Sequence, residues 1–215
     1  MTPLFRTGCS TALALCLVAS AAAAQDAVHA HIGHATDSWN DTPDAKGLLP
    51  TALAEARIAA DHAGYALRDP ANLDAMKGHT RHVLHAVDPT QIEGGPGAGY
   101  GVKKAALGAA RHIELAAAAD GAPEGVRTHA VHVATSARNA ATRADRIVEL
   151  AASIQSASTA AEAEPLVREM AALATALIDG TDADGDGRVG WQEGEGGLAV
   201  AETHAGLLKR AAGME

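Results

Sequence analysis

Two sets of side chains could do chemistry. The first is acidic: Asp182, Asp184 and Asp186 alternate with small residues, and Glu193 follows within the same short stretch, D-A-D-G-D-G-R-V-G-W-Q-E. Four carboxylates crowded around one point repel one another unless a cation sits among them, and hard oxygen donors select calcium over softer metals. The second set is the histidines, 11 in 215 residues. Neutral imidazole is a ligand for zinc, copper, nickel or haem iron.

The acidic segment resembles the calcium loop of the EF-hand family, over roughly residues 165–210. The resemblance implies that Asp182, Asp184 and Asp186 supply carboxylates at loop positions 1, 3 and 5, that Gly187 makes the sharp turn, and that Arg188 lends its backbone carbonyl. It implies also that Val189 pins the loop to a partner, that a water fills the place left by Gly190, and that Glu193 binds through both oxygens. Two features depart from the family. Gly180-Thr181 separates the incoming helix from the loop, and Gly194, Gly196 and Gly197 weaken the start of the outgoing one. EF-hands normally pair, and the sequence holds no second loop. Extracellular modules of this kind bind calcium at about 10⁻⁴ to 10⁻³ M.

Six histidines fall on expected helices beside apolar faces. His62 shares a face with Ile58 and Tyr65, and His79, His82 and His85 step by three along one helix. His112 flanks Ala105, Ala109 and Ala116, while His129 and His132 flank Val126 and Val133. The expectation is that His62, His79, His82, His112, His129 and His132 meet between alanine-rich helices and bind a transition metal such as Zn²⁺ or Cu²⁺. Non-covalent haem with two axial histidines is the alternative, which would make this an electron-transfer protein. Covalent haem is excluded because Cys-x-x-Cys-His is absent. A further triplet, His29, His31 and His34, is expected to capture metal separately on an extended arm.

The elements that position these residues read as helices. Alanine dominates a composition that is 47% hydrophobic but 2% aromatic, and alanine is the best helix former while burying little area. No stretch shows period-two alternation. Helices are expected from about Pro50 to Arg68, Asn72 to Val87, Val102 to Ala119, Glu124 to Ser156 and Glu162 to Ile178, with a last one ending near Ala212. Asp69-Pro70 and Asp88-Pro89 supply stops, and Asn72 a cap. The glycine-rich stretch 91–101 lacks the Gly-Lys-Ser/Thr ending of a phosphate loop and reads as a turn-rich connection.

The fold class expected is all-α: a signal peptide over 1–24, a histidine-bearing arm over 25–43, a four-helix bundle over 44–160 and an EF-hand-like module over 161–215. Arg6, the apolar run Thr11 to Ser20 and Ala22-Ala23-Ala24 form the leader, too short to span a bilayer. Its removal takes Cys9 and Cys16 with it and leaves an exported, periplasmic or secreted chain without thiols. A net charge of −9 argues against a nucleic-acid partner and suits metal ions. No nucleophile elbow, His-Glu-x-x-His, Glu-x-x-His pair or carboxylate dyad points to an enzyme. A third functional reading is an interaction module ordered by calcium, with structural histidines.

Overall fold

A computed structural model describes residues 25–214; residues 1–24, expected as a leader and holding both cysteines, lie outside them. The described chain is all-helical. Helix α1 occupies residues 25–36, followed by α2 (Leu48–Ala66), α3 (Leu73–Val87), α4 (Val102–Ala118), α5 (Glu124–Ser156), α6 (Ala160–Asp179) and α7 (Leu198–Ala211). Short 3₁₀ turns at Pro43–Ala45 and Pro89–Gln91 complete the set.

Local chemistry sets the ends. The Asn72 side chain accepts a hydrogen bond from Ala75 N at 3.0 Å and caps α3, and the Thr159 hydroxyl accepts from Glu162 N to cap α6. Gly180, at φ 82°, turns the chain out of α6 into a conformation open to glycine at no steric cost. The expected spans match these helices to within two residues, with one exception. Residues 25–36, expected as an extended arm, are helix instead. Val28, Ile32 and Ala35 recur at helical spacing and are buried, an apolar stripe that the interspersed histidines disguised.

One hydrophobic cluster takes residues from all seven helices, from Val28 and Ile32 on α1 through Ile113, Ile147 and Met170 to Leu198 and Leu208 on α7. It runs through both 44–160 and 161–215. The longest helix, α5, packs against α3, α4, α6 and α7 and is the spine of the fold. More than half of the buried apolar residues are alanine, so the helices can approach closely. The glycine-rich stretch is a clamp: Glu55 of α2 is buried, and its Oε1 accepts from the backbone N–H of Ala98, Tyr100 and Gly101 at 3.2, 3.0 and 3.4 Å. A Cβ on Gly97 would lie 2.3 Å from Glu55 Oε2. Among the described residues no helix is long and apolar enough to cross a membrane.

Candidate metal centres

Helix packing gathers nine of the eleven histidines into three groups of three. Each group has the same construction. A His-x-x-His pair, one helical turn apart on a single face, meets a lone histidine from a neighbouring helix. His31 and His34 of α1 meet His112 of α4; His79 and His82 of α3 meet His62 of α2; His129 and His132 of α5 meet His204 of α7. In every group one ligand atom per residue lies within 4.8 Å of the others, and all nine side chains are half-buried.

The rings turn Nδ1 toward one another. His62 Nδ1 stands 3.1 Å from His79 Nδ1 and 3.2 Å from His82 Nδ1. His204 Nδ1 stands 3.2 Å from His129 Nδ1 and 3.3 Å from His132 Nδ1. His31 and His112 approach through Nδ1 at 3.1 Å, and His34 Nδ1 is buried without a hydrogen-bond partner. A ring nitrogen has one in-plane direction, for either a proton or a lone pair. His62 and His204 therefore cannot satisfy both neighbours by hydrogen bonding. A cation can. Two nitrogens, each about 2.0–2.1 Å from a tetrahedral ion, lie roughly 3.3–3.4 Å apart, close to the spacings found.

Electrostatics favour the ligand form. Burial, and then the charges of neighbouring histidines, hold His31, His62, His79, His112, His132 and His204 below the ordinary imidazole value. Asp61 opposes this at His62 without reversing it. Rings with depressed values are neutral near pH 7, each with a lone pair to offer.

Aromatic rings line the same places. The described residues hold four Trp or Tyr, and three of them touch a triad. Trp39 packs on His34 and His112 with centroids 4.6 and 4.7 Å away. Tyr65 lies 5.2 Å from His62 and 5.6 Å from His79. Trp191 stacks on His132 at 4.2 Å and 23°. In a chain so poor in aromatics, this placement restrains the imidazole planes.

The two remaining histidines bond to backbone carbonyls: His29 Nε2 to Ala212 O at 2.9 Å and His85 Nδ1 to Pro96 O at 3.0 Å. The expected arm triplet is thus corrected. His29 closes the end of the fold, while His31 and His34 join His112. The six expected ligands are all placed in triads, but in three separate sites rather than one meeting point. Sequence reasoning missed His204 as a member of a triad and missed the pairing of the arm with α4. The signal was present in the His-x-x-His steps at 31–34, 79–82 and 129–132, although 82–85 repeats the step without forming a triad.

The acidic loop is exposed. Carboxylate oxygens of Asp182, Asp184 and Asp186 lie within 4.8 Å of one another. Gly185 N and Gly187 N donate to Asp182, Asp186 N to Asp184 and Arg188 N to Asp186, at 2.8–3.0 Å. Glu193 is not in that group; it lines a cleft on α5 with Arg138, Asn139 and Arg143. The reason is local. Residues 193–195 form a turn and α7 begins only at Leu198, so no helix starts at the loop's end to swing Glu193 inward. Val189 is 39% exposed. Below the loop, the buried Arg143 guanidinium donates to the carbonyls of Gly194, Glu195 and Gly196 and to Thr181 Oγ1, at 2.6–2.9 Å. Asn139 donates to Gln192 O and accepts from Gly194 N. These bonds tie the segment that carries Trp191 to α5, and Trp191 stacks on α5's His132.

Comparison with protein-family models, curated proteins and solved structures found no match to the chain. The EF-hand resemblance rests on residues 182–193 themselves.

Proposed function

We propose that this chain is a metal-handling protein, exported by its leader, that takes up transition-metal ions at three trihistidine sites. One observation carries the proposal: nine histidines from six helices converge in threes, with Nδ1 atoms 3.1–3.3 Å apart where they meet. Three neutral nitrogens without carboxylate or thiolate favour borderline ions such as Zn²⁺ and copper and disfavour calcium and magnesium. The spacing argues for a bare ion over haem. Two axial imidazole nitrogens stand on opposite faces of a porphyrin, roughly 4 Å apart at Fe–N lengths of about 2 Å, with the macrocycle between them.

Elemental analysis of chain loaded with Zn²⁺ or Cu²⁺ and then desalted tests the proposal. About three ions per chain are expected, and one fewer in each of His62→Ala, His112→Ala and His204→Ala. Uptake unchanged by all three substitutions would remove the proposal.

A second ion class is supported at the acidic loop. Asp182, Asp184 and Asp186 converge, and glycines at φ 78° and 87° (Gly185 and Gly187) give the loop its turns. We propose calcium there, with the Arg188 carbonyl joining and Glu193 swinging in on binding. A calorimetric titration silent at millimolar Ca²⁺ would refute it.

A further inference from the structure

We infer that an ion held by a triad keeps a coordination position for a donor from a second molecule, so that metal moves by direct ligand exchange. This rests on the trihistidine proposal and deepens it.

The donor count comes first. Among the described residues each group contains three histidines, and no fourth His, Cys, Asp or Glu joins any of them. Zinc sites that serve a structural role are closed by four protein ligands, whereas sites with three protein ligands keep the fourth position for water or an incoming group. The two short edges meeting at His62, and likewise at His204, describe a donor set gathered on one side of an ion.

Access comes next. All nine histidines are half-buried rather than enclosed, so each triad borders solvent that an incoming donor can cross. The aromatic ring at each site packs on one or two of the three imidazoles and leaves at least one without an aromatic neighbour.

The third consideration is how firmly the ligands are held. Metal-binding histidines almost always donate their second ring N–H to a carboxylate, a backbone carbonyl or water, and losing a protein partner of this kind costs 10–100-fold in affinity. His29 and His85, outside the triads, do bond to carbonyls. None of the nine triad histidines does, among the described residues; Nδ1 of eight of them faces another triad Nδ1 instead, and His34 Nδ1 is buried without a partner. Rings held without a carboxylate or carbonyl partner can yield a ligand in steps while an incoming donor takes its place. The partner is thus a molecule offering imidazole or thiolate nitrogen or sulfur, which binds the open position before the chain lets go.

Full mature chain loaded with Co²⁺ provides the test, because its visible d–d bands report the coordination sphere. Azide is the probe donor. The expected result is saturable change of the cobalt bands on adding azide, with cobalt content unchanged. A spectrum insensitive to azide while about three Co²⁺ stay bound overturns this inference alone; failure to bind cobalt overturns the trihistidine proposal with it. A kinetic arm reads exchange directly. Transfer of Zn²⁺ to a chromogenic chelator in excess should rise about tenfold for a tenfold rise in chelator, and a rate independent of chelator concentration would contradict it.

Discussion

Replacing His204 by alanine removes the imidazole whose Nδ1 faces both His129 and His132, at 3.2 and 3.3 Å. The two histidines left on α5 are one turn apart and form at best a two-ligand site. Losing a group that merely hydrogen-bonds a metal-binding histidine costs 10–100-fold in metal affinity, so loss of a direct ligand should cost at least ~100-fold, or about 3 kcal/mol. The apo chain should notice little. His204 is half-buried and, among the described residues, its hydrogen-bond partners are the two histidines it cannot satisfy together, so the change in apo stability should stay within about 1 kcal/mol. Metal-induced stability is where the loss appears. A site held at 100 times its Kd adds about 2.7 kcal/mol, and for a chain of this size each kcal/mol moves Tm by roughly 2–4 °C. His204→Ala should therefore forfeit about 5–10 °C of the zinc-induced rise in Tm while its metal-free Tm stays near the wild-type value. Calorimetric scans with and without Zn²⁺ measure both. A variant whose zinc-induced shift equals that of the wild type would refute the reasoning, as would one whose metal-free form unfolds at much lower temperature.

Other expectations follow from the same geometry. For six triad histidines the folded value lies below 6.5, so the unfolded chain takes up protons first; metal-free stability should fall as pH drops below 6.5 through those lowered values, and a urea series between pH 8 and 5 checks the sign. Glu55→Ala strips the acceptor from three backbone N–H groups in the glycine-rich clamp and should cost about 3 kcal/mol in denaturant unfolding, with faster hydrogen exchange at Ala98, Tyr100 and Gly101. Asp182→Ala removes the carboxylate that accepts from Gly185 N and Gly187 N and should weaken calcium binding by at least ~10-fold in a titration, leaving zinc uptake unchanged.

Most of the helical frame could be read from residues that punctuate it. Asn72 and Asp88-Pro89 mark ends by local chemistry alone, and the structure keeps them there. Helix α1 escaped because alternate polar histidines hid the stripe of Val28, Ile32 and Ala35. The sites divide in the same way. Each His-x-x-His pair is local, and the pairs at 79–82 and 129–132 are visible in the sequence as histidines three residues apart on one expected helix. The third ligand is not local. His112 lies 81 residues from His31 and His204 lies 75 from His129, brought together by helix packing that periodicity does not encode. The Asp182–Asp186 turn is legible because three residues of local chain determine it. The position of Glu193 is not, because it depends on where α7 begins.

X-ray absorption at the metal edge of Zn²⁺- or copper-loaded chain tests the central claim most directly. Three imidazole nitrogens per ion, at about 2.0–2.1 Å for zinc, are expected, with the multiple scattering of histidine rings and one oxygen donor from solvent. A shell dominated by carboxylate oxygen, or one with fewer than two imidazoles per ion, would contradict the assignment of the triads as metal sites.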